Sequence, residues 1–319
     1  MLKNKTKITI VTHDGTFHPD DVFAVATLSV VLGSSLSVAP EGMTEIGVIR
    51  TRSQSVIETG DYVVDVGGIY DPEKNRFDHH QIGGAGERQN KIPYASFGLV
   101  WQKYGEKISG PDEGVREYAK KIAEMIDKKL VQPVDAADNG VSVVREIFED
   151  IRPYDIRSVI SAMNPSWKEN ADEGADNVDA IFLRAVDLAK SILIREIKLA
   201  QDEVEAEKLV IDAYNKSDDK RIVVLEKEYP WLNTLSKFSE PLFVIYPKKE
   251  VWRIRAVWNG VVAFRNRKDL PVSWAGKKGT ELSSVTGVPG GIFCHNNLFL
   301  AVAETKEAAI AMARIAVET

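Results

Sequence analysis

The stretch from Lys7 to Gly33 constrains this chain most, because three textures follow one another there without a gap. KITIVT, Lys7 to Thr12, alternates and is β-branched, so it reads as a strand. HDGTFHPDD, His13 to Asp21, is polar and carries Gly15 and Pro19. VFAVATLSVVLG, Val22 to Gly33, is apolar all round and reads as a buried helix stopped by glycine. A strand that feeds a buried helix through a short polar loop belongs to an α/β sheet. In such sheets ligands collect at the carboxyl ends of the strands. The loop at that position holds His13, His18, Asp14, Asp20 and Asp21.

The same alternation continues downstream. Ile46 to Thr51 and Tyr62 to Val66 read as strands, Asp71 to Arg76 as a turn, and Ser96 to Tyr104 and Val115 to Leu130 as helices. This predicts an α/β domain with a mostly parallel sheet flanked by helices. A long helical stretch, Asp179 to Tyr214, ends in the polar segment Asn215 to Lys220, which reads as a boundary. Beyond it, Ile222 to Leu225, Leu242 to Tyr246 and Val251 to Val257 look like strands and Lys306 to Val317 like a closing helix, so the second domain reads as smaller and α+β. The predicted domains are residues 1–214 and 221–319. With 319 residues and 44% apolar composition, the chain suits two modest cores. The longest apolar run, about a dozen residues, falls short of the roughly 20 that span a bilayer, so no membrane partner is expected. A single cysteine, Cys294, excludes an internal disulfide and fits a reducing compartment. The N-terminus shows no apolar signal core, and the expected location is cytoplasmic.

The chemistry-bearing residues cluster. Only five histidines occur, and His79 and His80 are adjacent behind Asp78. Imidazole and carboxylate together are the donors that a borderline divalent ion takes. Asp20 or Asp21 could simply cap the following helix, but capping leaves two histidines in one loop unexplained. Asp65 ends an apolar strand in YVVDVGG, where a charge needs a partner or a metal. His79 and His80 can serve one site only from a loop or strand end, because adjacent side chains in a strand point to opposite faces. Asp78 is placed to orient one of them. Asp138 sits in VDAADNG, Val134 to Gly140, read as a polar loop between helices. Arg50 and Arg52, in VIRTRS, could meet a phosphate as forks or form a solvated strand edge.

In this order and combination, THDGTFHPDD, VDVGGIYDPEKNRFDHHQ, IPYASFGLVW, VDAADNG and GVPGGIFCHN resemble the MYG (melanocyte-proliferating-gene) family of exonucleases, within the DHH phosphoesterase superfamily. The resemblance spans Thr12 to about His295. It implies that Asp20 and Asp21 with His13 or His18, then Asp65, His79 and Asp138, ligate metal, with Asp78, His79 and His80 as the catalytic triplet. It further implies an RNA exonuclease, read as 3′ to 5′, that acts on RNA or a short oligonucleotide. Two divalent ions sharing a bridging carboxylate and hydroxide fit such a residue set. Mixed histidine and aspartate ligation favours Mn2+, with Mg2+ the alternative.

The second domain adds a substrate argument. Although the whole chain has a formal net charge of -6, Arg221 to Thr280 carries twelve Lys and Arg against five Asp and Glu. Four of the six tryptophans lie there, and basic residues interleaved with aromatics suit single-stranded nucleic acid. If WRIRAVW is extended, Trp252 and Trp258 share one face and Arg253 and Arg255 the other. Gly290, Gly291 and His295, in the glycine-rich GVPGGIFCHN, are the remaining substrate candidates. Rival functions are a pyrophosphatase or small-nucleotide phosphohydrolase on the same metal core, a zinc-dependent N-acetyl sugar deacetylase suggested by His18-Pro19-Asp20-Asp21, and an inactive RNA-binding protein. A homo-oligomer stays open.

Overall fold

The computed structural model describes residues 7–33, 45–110, 116–169, 175–260 and 265–319. Two compact units divide between Gln201 and Asp202.

In the first unit, a five-stranded sheet has the order β2-β1-β3-β5-β4, formed by β1 (Lys7–Thr12), β2 (Glu45–Arg50), β3 (Tyr62–Val64), β4 (Tyr70–Asp71) and β5 (Arg76–Phe77). All neighbours are parallel except β4 and β5, which form a short antiparallel pair around the Asp71–Arg76 turn. The β-branched residues of β1 sit at the centre of the sheet, with Ile10 opposite Val48 on one side and Tyr62 on the other. Helix α1 (Pro19–Val31) is buried over every residue from Pro19 to Ser29, which explains its apolar circumference. Pro19 opens the helix where its missing N–H is not needed. Asp21 caps it, accepting the His18 and Val22 backbone N–H groups at 2.8 Å.

Short α2 (Gln54–Ile57) precedes β3, and α3 (Ser96–Ser109) packs on α1 through stacked Phe23 and Phe97 rings, 5.1 Å apart. Helix α4 (Arg116–Ile126) passes through a π-helical turn, Asp127–Val131, into α5 (Gln132–Asp138). Val115, the expected start of that helix, lies outside the described residues. The π turn lies where Pro133 can offer no N–H and its ring would crowd the carbonyl four residues back. VDAADNG is therefore not a loop: its first five residues form the last turn and a half of α5, and only Asn139 and Gly140 leave it. Helix α6 (Ile156–Met163) follows, and α7 (Ala175–Lys216) runs on past the division between the units.

The sequence places the domain boundary after Tyr214, whereas the compact units part thirteen residues earlier, inside α7. The reason is packing: Val210 and Tyr214 join Val223, Leu225 and Trp231 in the core of the second unit. That unit holds a sheet of order β6-β7-β8-β10-β9, comprising β6 (Ile222–Val224), β7 (Phe243–Lys248), β8 (Val251–Ala256), β9 (Gly291–Cys294) and β10 (Leu300–Ala303). Only β6 and β7 are parallel. Alternation along β7 splits the core. Phe243 and Ile245 face a cluster with Ile254, Met312 and Ala313, the last two from α10 (Lys306–Glu318). Val244 and Tyr246 face the cluster of Val210 and Tyr214. Two further helices, α8 (Leu232–Leu235) and α9 (Gly279–Thr286), complete it. Among the described residues no helix is long and apolar enough to cross a membrane.

Candidate active site

The carboxyl ends of β1, β3 and β5 converge, and each delivers one of the expected clusters. Asp65, the first residue after β3, sits at the centre. One of its oxygens lies 3.3 Å from His13 Nε2 and the other 3.3 Å from His79 Nε2. Its backbone is in the left-handed region, φ 56°, which is uncommon for a residue with a side chain. Such an outlier at a strand end marks a side chain whose aim is fixed by its surroundings. Ser96, at the start of α3, fixes it further by donating its hydroxyl to Asp65 Oδ1 at 3.0 Å.

His13 follows β1 and is buried. Its Nδ1 lies 2.8 Å from the Asp14 carbonyl oxygen, which can only accept, so Nδ1 carries the hydrogen. That leaves Nε2 to face Asp65 and, at 3.2 Å, Asp21 Oδ2. His79 Nε2 lies 3.2 Å from Asp138 and 3.9 Å from Asp20. His18 and Asp20 also come together with Asp138. Three sets of donor atoms, each within 4.8 Å of one another, result: His13, His18 and Asp65; Asp65, His79 and His80; His18, Asp20 and Asp138.

Asp20 tests whether this set suits a cation. It is fully buried, and among the described residues neither carboxylate oxygen has a hydrogen-bond partner. Burial, together with the charges of Asp65, Asp138 and Asp21, pushes its pKa well above the usual carboxylate range. A buried, unpartnered carboxylate among carboxylates is costly unless a cation compensates it. The histidines answer the same field. Burial alone would lower His13 and His79, but bonds to Asp21 and Asp65, and to Asp138 and Asp65, push each up to about 10. Burial would raise Asp65, yet His13 and His79 hold it well below the ordinary value. The residues fit a divalent cation beside Asp65.

Asp78 stands apart from this set. Its Oδ2 accepts the Gly68 N–H at 2.5 Å and its Oδ1 lies 2.7 Å from His80 Nδ1. It thus orients His80, whose side chain is 61% exposed on the cavity wall. The cavity measures about 640 Å³ and is also lined by Arg52, Gly67 and Asn139.

Arg52 and Arg50 separate. Arg52 is exposed, pairs with Asp14 at 3.2 Å and lines the cavity. Arg50 is withdrawn: it lies over the Phe17 and Phe182 rings at 5.7 and 4.8 Å and pairs with Asp179 at 3.0 Å. Its expected role as a phosphate fork is corrected to that of a structural clamp.

In the second unit the aromatic expectation changes. Trp231 and Trp274 are core residues, and Trp252 packs against the core with the Lys306 ammonium 5.6 Å from its ring centre. Further rings meet cations around His295. His295 lies 4.5 Å from Phe299 and 6.2 Å from Phe293; Arg255 sits over Phe299 at 5.1 Å and Lys278 over Phe293 at 5.9 Å. Arg253 lies one residue from Trp252 on β8, half-buried. Gly290 closes the turn before β9 and Gly291 opens the strand, packed against Glu304 and Leu282 respectively. Ser96, Arg88 and Gly98 escaped the sequence reading of the site, and Asp135 stood beside Asp138 without a role. Asp135 offered a signal, its place one helical turn before Asp138, once VDAADNG is seen as helix.

Residues 9–317 match the model of a family described as Uncharacterised protein family (UPF0160), MYG1_exonuc. MYG1 exonuclease of Homo sapiens is 32% identical, covering 96% of this chain and 84% of that protein. MYG1 protein of Dictyostelium discoideum is 30% identical, covering 96% and 95%. MYG1 protein C694.04c of Schizosaccharomyces pombe is 28% identical, covering 98% of each. Among solved structures, RecJ from Thermus thermophilus in complex with Mg2+ aligns with a TM-score of 0.27 at 14% identity, covering 97% of this chain and 49% of that one.

Proposed function

The chain belongs to the MYG1 exonuclease family, and from that premise we propose that it is a metal-dependent phosphodiesterase that shortens RNA from the 3′ end. The carrying observation is Asp65 held between two imidazoles with the unpartnered carboxylate Asp20 beside it. Such a set would hold two divalent ions, with Mn2+ favoured by its mixed donors. His13, Asp21 and Asp65 stand on one side, and Asp65, His79, Asp20 and Asp138 on the other, with His18 at the rim. Bound there, the ions lower the pKa of water and neutralise the phosphoryl oxygens.

The chain's own residues do the rest. Arg52 turns from Asp14 to a substrate phosphate and fixes its orientation. His80, held through Nδ1 by Asp78, whose carboxylate raises its pKa, is placed to pass a proton to the leaving oxygen. In the second unit, the face of Phe293, His295, Phe299, Arg255 and Lys278 stacks bases and neutralises phosphates. Pyrophosphate has no base to stack, which favours RNA over the pyrophosphatase alternative.

The test is hydrolysis of end-labelled RNA, end-labelled DNA and pyrophosphate with Mn2+. Stepwise loss of 3′ nucleotides from RNA, faster than either rival, is expected. Preferential hydrolysis of pyrophosphate replaces the exonuclease with a phosphoanhydride hydrolase. Label retained in full-length RNA under all conditions removes the nuclease reading.

A further inference from the structure

The chain after His80 turns back on itself, with Tyr94 N–H donating to Gly86 O at 3.0 Å and Arg88 N–H to Ile92 O at 2.9 Å. From this hairpin the Arg88 side chain, 8% exposed, reaches the helices that carry Asp138. One guanidinium nitrogen lies 2.9 Å from Asp127 Oδ1 in the π turn, the other 2.8 Å from Asp135 Oδ2 in α5. The latter is a charge contact away from the hydrogen-bond direction. Asn90 in the same hairpin donates to Gln132 Oε1 at 2.8 Å. Asp135 is fully buried, and its Oδ1 accepts the Gly98 N–H at 2.9 Å, in the first turn of α3. No side chain fits at Gly98: a Cβ there would stand 1.9 Å from Asp135 Oδ2. Two residues earlier on α3, Ser96 holds Asp65. One turn beyond Asp135 on α5, Asp138 faces His79.

The start of α3 therefore grips both sides of the candidate centre, Asp65 through Ser96 and the Asp138 helix through Asp135. We infer that Arg88 is a positioning residue: through Asp135 and Asp127 it sets the distance of Asp138 from Asp65 and His79, and so the affinity of the ion on that side. A buried ion pair adds little net stability over an apolar pair of the same volume. Its definite geometry is what this placement uses. The inference rests on the metal centre proposed above.

The experiment is a Mn2+ titration of chelator-stripped, full-length protein, following free Mn2+ by electron paramagnetic resonance. Parent, Arg88→Met and Arg88→Lys are compared, with folding checked by near-ultraviolet circular dichroism. Burial has already pushed the Asp135 carboxyl up to about 7, so it takes a proton when Arg88 is lost and leaves no bare buried charge there. The parent is expected to take two ions. In Arg88→Met one ion binds as before and the other weakens about 10- to 100-fold, the range for loss of a group that orients a ligand. Arg88→Lys shows the same change to a smaller extent, because a point charge cannot serve both carboxylates, and it decides the matter if Arg88→Met does not fold. Unchanged affinities in a folded variant, or equal weakening of both ions, overturn the positioning role and leave the metal centre standing. A parent that binds no Mn2+ overturns both.

Discussion

Asp65 shows what one residue in this protein must satisfy. Its backbone is left-handed, its carboxylate meets two imidazoles, and Ser96 restrains it. Asparagine tolerates that backbone and keeps the shape, so Asp65→Asn isolates the charge. The variant is expected to fold with a somewhat lower Tm, through loss of the His13 and His79 pairing, and to lose at least about 100-fold in turnover, measured on labelled RNA. Turnover within a few-fold of the parent's removes Asp65 from the centre. The two arginines of VIRTRS make a paired case. Arg52→Ala is expected to raise KM roughly 10-fold with an unchanged Tm. Arg50→Ala is expected to lower stability by about 2 kcal/mol, through loss of the Phe17 and Phe182 contacts, with KM unchanged in the folded fraction. Denaturant titration and steady-state kinetics on both variants check this. Spacing alone could not separate these arginines, because what decides is the arrival of Phe182 and Asp179 from α7, more than a hundred residues downstream.

At the scale of elements, the strand ends were legible because their residues contradict their surroundings. Acids and histidines stand where apolar strands stop, next to glycines. The π turn and α5 were not legible, since Pro133 is a breaker signal that this helix absorbs and the Asn-Gly pair that ends it reads as a loop. The tryptophans misled for a related reason: composition marks Arg221 to Thr280 as aromatic and basic but cannot say which rings fill the two faces of a sheet. The cluster at the strand ends also sets a pH dependence for the metal-free protein. His13 and His79 are raised to about 10 from an unfolded value near 6.5. The folded state then binds more protons over that interval, so the stabilisation is whole below pH 6.5 and is lost as pH climbs towards 10. Chelated protein should show a Tm that falls from pH 6.5 to 10. Bound metal requires neutral imidazole, so metal binding should release protons and tighten with pH. A Tm that is flat or rises with pH in the chelated state contradicts this account of the cluster.

For the whole molecule, the proposed function divides the work between the two units. In that proposal the first supplies donors for cations, and the second would offer rings and cations to a nucleic-acid strand. Phe299→Ala is therefore expected to weaken RNA binding by about 1–3 kcal/mol without changing metal content, and binding should fall steeply with salt. Filter binding at several ionic strengths checks both. The central claim, two ions on either side of Asp65, is tested most directly by crystals soaked in Mn2+ and measured at the manganese absorption edge. Two anomalous peaks about 3.5–4 Å apart are expected, one beside His13 and Asp21 and the other beside His79 and Asp138, with Asp65 between them. A single peak, or peaks away from Asp65 in crystals of active protein, would contradict it.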